Sequence, residues 1–165
     1  MTLTRTGLAL ALMLALGACT NGFGGFGDNR PGAPAGGSGT ANPASVAYFN
    51  ETVGDRVLFA VDQSSLNEEA RATLASQAAW LMQNGEFTAL IEGHADEQGT
   101  REYNLALGAR RANAVRDFLV ERGVAENRLR TITYGKERPL EICSTEACWR
   151  LNRRAVTVVA AGGRS

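Results

Sequence analysis

One histidine and one lysine, His94 and Lys136, are all this chain of 165 residues has of either type. A catalytic zinc site usually takes three protein ligands, several of them histidines, and a single imidazole argues against one. Glu92, His94 and Asp96 alternate, so on a strand they would share a side and imitate a metal cluster, but the histidine count still speaks against it. No charge is in excess: Lys+Arg is 17 and Asp+Glu is 17. A balanced chain without a basic block gives no case for nucleic acid or for an anionic membrane face. The sixteen arginines beside Lys136 are explained well enough by the base composition of the gene. No serine–histidine–aspartate set is visible either. A hydrolase needs acid and base groups of separated pKa across a cleft, commonly with a nucleophile or metal. Binding without catalysis is the stronger class.

Long apolar runs are also missing. Gly7 to Ala18 is rich in Leu and Ala after Arg5. Its twelve residues, at about 1.5 Å each, cover only about 18 Å of the roughly 30 Å hydrocarbon core. That is a secretory leader, assigned to residues 1–18. It ends in Leu16-Gly17-Ala18-Cys19, which resembles a lipobox, with Cys19 as the residue to be lipidated and to become the mature N-terminus. Thr20 after it, by resemblance to bacterial lipoproteins, favours sorting to the outer membrane. More than one acyl chain, at about 0.8 kcal/mol per buried methylene, makes such an anchor stable. Residues 19–44 then carry eight glycines with Pro31, Pro34 and Pro43 and no helical or strand period. Such a segment cannot offset its ordering entropy by burial, so a flexible tether is expected. Its 25 residues after Cys19 reach about 90 Å when stretched and about 28 Å as an average coil.

Residues 45–165 have the length of one domain with a real core. Ser45 reads as a cap before a short helix carrying Val46, Phe49 and Val53 on one face, ended by Gly54. Val57 to Val61 reads as a buried strand. Ala70, Leu74, Ala78, Leu81 and Met82 recur at helical spacing as far as Asn84-Gly85. Phe87 to Glu92 is a second strand. Thr100 to Arg122 is a helix with Leu107, Ala114, Val115, Phe118 and Leu119 inward. Leu129 to Tyr134 and Ala155 to Ala160 complete the strands. Alternating elements with long helices imply an α/β fold, a two-layer sandwich with the helices on one sheet face.

The most informative stretch runs from Ile91 through Gly93-His94-Ala95-Asp96-Glu97-Gln98-Gly99-Thr100 to Tyr103-Asn104 and Gly108-Ala109-Arg110-Arg111-Ala112-Asn113. A strand enters a polar corner and an amphipathic helix follows at once, a frame on which binding sites tend to be built. The expectations here are Gly93 and Gly99 for backbone geometry, Thr100 as helix cap, and His94 holding the loop by side-chain hydrogen bonds. Arg110 is expected to brace the loop or a neighbouring acid. This stretch resembles the signature of OmpA-like peptidoglycan-binding domains. The resemblance extends from about Val57 to Val159, through Phe59 to Leu66, Tyr134-Gly135-Lys136 with Pro139, and Asn152-Arg153-Arg154. It departs at Ala60, where the family usually has aspartate, which implies a differently built entry loop.

The resemblance implies a β-α-β-α-β-β order with helices packed on one mixed sheet. It also implies a ligand, the diaminopimelate of a peptidoglycan stem, which offers an ammonium and a carboxylate on one carbon. Arginine suits the carboxylate because its planar fork pairs through two parallel bonds. By match to the family, Asp96 takes the ammonium and Arg111 the carboxylate, Asn104 fixes the stem peptide, and Asp62 and Arg153 stand at the rim. No cofactor is implied. The implied protein is an outer-membrane lipoprotein with its head in the periplasm, tethering membrane to wall. Its partners would be peptidoglycan and the Tol proteins, TolB chiefly and TolA second, in envelope integrity and cell division. Alternatives are an OmpA-like lipoprotein of a motor or secretion machine and, more weakly, a cell-wall hydrolase. With Cys19 assigned to lipid, Cys143 and Cys148 remain, an even pair in an exported domain, and a disulfide is expected.

Overall fold

The structure, a computed structural model, describes residues 42–162. The leader, Cys19 and residues 20–41 of the tether lie outside them. Ser45 caps the first helix, α1 (Val46–Tyr48), its Oγ accepting from the Tyr48 amide at 3.1 Å. The helix widens at once into a π-turn, Phe49–Gly54, that ends where Gly54 adopts φ +90°. The wider turn rotates Phe49 fully into the core and leaves Val46 partly exposed, so the three apolar residues do not share one buried face. Asn42 to Ala44 are tied to the head, with the Pro43 carbonyl accepting from Trp80 Nε1 at 2.7 Å.

β1 is short, Arg56–Leu58. The apolar run continues to Val61, but the strand ends at Leu58, and Val61 is 60% exposed. The Ala60 carbonyl accepts from the Gln63 amide in a turn and from Arg111 Nη2, and the Gln63 carbonyl accepts from Arg111 Nε, so neither enters a strand ladder. Asn67 caps α2 (Glu68–Gln83), which buries Ala70, Leu74, Ala78 and Leu81. Met82, one step of about 100° beyond Leu81, falls on the outer side and is exposed. β2 (Phe87–His94) alternates inward residues Phe87, Ala89 and Ile91 with half-covered ones. α3 (Arg101–Glu121) starts at Thr100, whose Oγ1 accepts from the Tyr103 amide, and stops before Gly123 at φ +100°. A single 3-10 turn leads into β3 (Leu129–Gly135). A helix without expectation from the sequence follows, α4 (Glu146–Asn152), and then β4 (Arg154–Ala161).

The strands form one mixed sheet in the order β1-β4-β2-β3. β2 and β3 are parallel, with Ala89 opposite Leu129 and Ile91 opposite Thr131. β4 runs antiparallel to both β2, where Ile91 faces Thr157, and β1, where Val57 faces Ala155. α2 and α3 cover one face, giving the two-layer arrangement. The core between them holds Leu74, Leu81, Ile91, Val115 and Leu119, each worth about 1.5–3 kcal/mol of transfer free energy. Phe49, Trp80 and Phe87 stack in series with centroids 4.9 Å apart. Gln77 is the polar group inside. Its amide donates to the Gly54 carbonyl and its oxygen accepts from Thr157 Oγ1, so its burial leaves neither end unpaired.

Helix α3 lies unusually close to β2. A Cβ on Gly93 would run into the Gly108 carbonyl, and one on Gly108 into Thr133 Oγ1. The two glycines let helix and strand backbones touch, and that close approach fixes where the first turns of α3 stand against the end of β2.

Candidate functional site

Residues at the end of β2 are arranged by what α3 demands of them. The ladder slips between Gly93 and His94, and the chain turns out through Ala95, whose amide donates to the Gly135 carbonyl. Asp96 then folds back, its Oδ1 accepting from the Gln98 amide at 3.2 Å. The turn ends on Gly99 at φ +90°, a left-handed conformation that glycine adopts without cost. Lys136, the only lysine, clamps the turn from outside by donating to the Gly99 and Glu97 carbonyls at 2.7 and 3.2 Å. Asn104 Nδ2 donates to the Gln98 carbonyl at 2.7 Å.

One turn further along the same face of α3 is Leu107, and one beyond that is Arg111, which is 0% exposed. A buried guanidinium must spend its donors on something. Arg111 Nη1 donates to the His94 carbonyl and Nε to the Gln63 carbonyl, both at 2.8 Å, and Nη2 to the Ala60 carbonyl at 3.2 Å. The group also lies over the Phe59 ring, 5.1 Å from its centroid. Burial pushes its pKa down to about 10, partly offset by the nearby Asp96 charge. Three of the five N–H groups of an arginine are thus spent on carbonyls. The fork joins the β1–α2 loop to the β2–α3 corner.

Asp62 sits at the tip of that β1–α2 loop with φ +60°, a backbone that aspartate tolerates better than most residues. The Tyr103 hydroxyl donates to its carboxylate, and that bond holds the phenol pKa above its ordinary value. Arg110 extends over the outer side of the Tyr103 ring at 5.9 Å, so it braces an aromatic rather than an acid. Between the loop, the corner and the helix is a cavity of about 380 Å³. Asp62, Asp96, Asn104 and Arg111 all line it, together with Gln98 and Tyr103. A separate groove of about 230 Å³ between β1 and α2 contains none of the expected site residues.

Arg153 is placed differently from the other four. It is buried behind the cavity and is not among its lining residues. Its Nη1 donates to Asp96 Oδ2 at 3.1 Å and its Nε to the Phe59 carbonyl at 3.3 Å. Glu146 accepts from the same guanidinium with both carboxylate oxygens, one on Nη2 and one on the Nη1 that also serves Asp96. Burial works against the Arg153 charge, but the bonds to Glu146 and Asp96 outweigh it and raise the pKa. Asp96 and Arg111 are therefore held by different partners, one by Arg153 and the other by three carbonyls. The cavity presents a carboxylate and a guanidinium close to each other, each with its orientation set from behind.

His94 acts through its backbone, contrary to the expectation of side-chain bonds. Its carbonyl receives Arg111, while neither ring nitrogen completes a hydrogen bond. The ring is 2% exposed, with Nε2 3.6 Å from the Glu92 carboxylate and Tyr134 at 5.5 Å between ring centroids. Burial, then the charges of Arg154 and Arg138, lower its pKa to about 4, and a weak backbone interaction with Arg138 works the other way. The imidazole is neutral at pH 7. Residues that sequence reasoning passed over are Glu146, Lys136 and Gln98. Of these only Lys136 carried a signal, as the one lysine among sixteen arginines.

The disulfide is formed: Cys143 is bonded to Cys148, with Cα atoms 6.0 Å apart. It closes the turn that leads into α4 and encloses Glu146.

A family model described as the OmpA family matches residues 58–153, the span that holds both site loops and Arg153. The chain belongs to the OmpA family. It is 50% identical over 156 residues to the peptidoglycan-associated lipoprotein of Mesorhizobium japonicum, covering 94% of this chain and 92% of that one. It is 55% identical over 128 residues to that of Brucella abortus, covering 78% and 76%. Among solved structures, the peptidoglycan-associated lipoprotein of Burkholderia pseudomallei superposes with a TM-score of 0.66 at 36% identity, over 70% of this chain and all of that one. The C-terminal domain of Helicobacter pylori MotB superposes with a TM-score of 0.61 at 19% identity, over 66% and 86%. That second likeness is one of fold.

Proposed function

We propose that this OmpA-family head binds peptidoglycan without covalent attachment, taking the diaminopimelate of a stem peptide in the cavity beside Asp96 and Arg111. The observation that carries the reading is the pairing in one cavity of a carboxylate and a guanidinium that do not spend themselves on each other. A zwitterion with its ammonium on Asp96 and its carboxylate toward Arg111, whose three bonds all go to neutral carbonyls and leave its charge unpaired by them, suits both. Asn104 and Asp62, on opposite walls, are the contacts for the rest of the stem. The relatives named peptidoglycan-associated lipoprotein support peptidoglycan as the partner. With residues 1–18 as leader, Cys19 lipidated and residues 19–44 as tether, the protein links the outer membrane to the wall from the periplasmic side. It does so as part of the Tol–Pal system, with TolB as chief partner and TolA as second.

The test is sedimentation of the full chain with purified peptidoglycan sacculi. The chain is expected to sediment without releasing soluble fragments. Free meso-diaminopimelate is expected to displace it, and Nα-acetyl-lysine, whose ammonium and carboxylate are on different carbons, to displace it poorly. Asp96→Asn keeps the shape and an acceptor for Arg153 but removes the charge. Losing a charge contact of this kind costs about 2–5 kcal/mol, or roughly 30-fold to several thousand-fold in affinity. A folded Asp96→Asn chain that sediments like wild type sinks the site. In-cell crosslinking between the head and TolB tests the partner.

A further inference from the structure

We propose that Glu146, presented by the disulfide-closed turn, is a positioning residue that balances Arg153 so that Asp96 keeps its charge for a cationic group of the ligand. The inference rests on the reading of the Asp96 cavity as the peptidoglycan site.

Charge arithmetic at the cavity wall makes the case. Asp96 by itself is an anion suited to an ammonium, but its Oδ2 is bonded to the buried Arg153. An Asp96–Arg153 pair alone sums to zero, and the arginine opposes any cation that approaches the carboxylate. Glu146 changes that sum. One of its oxygens takes Arg153 Nη2 and the other shares Nη1 with Asp96, a two-point contact that is the strong form of such a pair. The three groups together carry one negative charge, and the member of the group that lines the cavity is Asp96. Glu146 itself is not among the lining residues; its side chain is 61% exposed on the far side of Arg153. It acts on the ligand through Arg153 and Asp96.

The segment that carries Glu146 is fixed at both ends. Glu146 is the first residue of a seven-residue helix whose N-cap, Thr145, makes no side-chain capping bond. The Cys143–Cys148 bridge closes the turn around it instead. At the other end, Asn152 Oδ1 accepts from the Leu140 and Glu141 amides at 2.7 and 3.1 Å, and its Nδ2 donates to the Glu141 carbonyl at 2.8 Å. A short helix locked in this way holds its first side chain where the arginine needs it, the preorganisation that binding sites require of their supporting residues.

The experiment compares the full wild-type chain with Glu146→Gln, Glu146→Asp and the double variant Cys143→Ser/Cys148→Ser, all bound to purified sacculi. Two competitors are used: meso-diaminopimelate, and N,N′-diacetyl-diaminopimelate, which keeps both carboxylates but has no ammonium. Glu146→Gln is expected to reduce competition by meso-diaminopimelate about two- to fivefold, as suits a largely exposed charge, and to leave the diacetyl compound unchanged. Glu146→Asp is expected to recover part of the loss. The double serine variant is expected to behave like Glu146→Gln at unchanged thermal midpoint of the core. Equal weakening toward both competitors shows a merely structural role and overturns the proposal, as does Glu146→Gln discriminating the two like wild type. Full discrimination in the double serine variant overturns the part given to the bridge. If wild type is not displaced by meso-diaminopimelate at all, the site reading itself has failed.

Discussion

Arg111→Lys isolates what the guanidinium fork does, because it keeps a positive charge while removing the geometry. In the native head the fork bonds to the carbonyls of His94, Gln63 and Ala60 at 2.8, 2.8 and 3.2 Å. Hydrogen bonds from a charged donor are worth about 1.5–3 kcal/mol each, and an abandoned buried acceptor costs about 1–3 kcal/mol. The lysine ammonium is a single point on a shorter reach and cannot meet three carbonyls on two separate loops. Retaining one of them leaves a loss of about 2–4 kcal/mol, since the bonds are not additive. Burial that lowers Arg111 to about 10 also acts on an ammonium whose ordinary value is about 10.4, pulling it toward neutrality and adding to the cost. A domain of this size has about 5–15 kcal/mol in all, so the variant stays folded but is visibly weakened. In urea, with a slope of about 2 kcal/mol/M, the midpoint is expected to fall by about 1–2 M. A midpoint within error of wild type at unchanged slope refutes the view that Arg111 ties the two loops together.

Between pH 7 and pH 5 the neutral, buried His94 makes the head less stable as pH falls. The folded pKa of about 4 is below the ordinary 6.5, so the unfolded chain takes up the proton first; the contribution is complete above about pH 6.5 and is lost as pH drops toward 4, about 2 kcal/mol of it by pH 5. Urea midpoints of wild type and His94→Gln across that range should converge at low pH, and parallel profiles contradict the assignment. Gly93→Ala drives a methyl into the Gly108 carbonyl, whose carbon is 2.6 Å from the added Cβ; backbone cannot yield as a side chain does, so a loss of several kcal/mol is expected, read as a lowered thermal midpoint, and an unchanged midpoint shows that helix and strand can separate. Cys19→Ala should abolish acyl labelling in cells and release the chain from membranes, and firm membrane retention without acylation refutes the lipobox reading.

Most of the sheet and both long helices were legible because their signals are local and repeated. Leu74, Ala78 and Leu81 mark a helix face by spacing alone, and Ser45 and Thr100 cap where short polar side chains before an apolar run should. The failures have one cause in common. At Val57 to Val61 the apolar run says strand, yet the strand ends at Leu58, and the Ala60 carbonyl is taken by a turn and by a guanidinium on a helix about fifty residues later. At α4 seven residues are too few for a period to register, and the helix is held by a disulfide and by Asn152 rather than by a cap. Both places are decided by long-range bonds to side chains, which no window of neighbouring residues contains.

The same division runs through the site. Asp62, Asp96, Asn104 and Arg111 were chosen by resemblance, and the fold brings them to one cavity; Arg153 was placed at the rim and sits behind the wall instead, in contact with Asp96. Family likeness transfers which residues gather, because gathering follows from the fold. It does not say whether a side chain faces the ligand or another side chain, because that follows from who else competes for its donors. Arg153 is bonded to two carboxylates, Asp96 and Glu146, whereas all three nitrogens of Arg111 donate to neutral carbonyls. An arginine neutralised by a carboxylate is support; an arginine satisfied by neutral carbonyls retains its net charge. On that ground Arg111, more deeply buried than most side chains of the core, is the cation we propose for a ligand carboxylate.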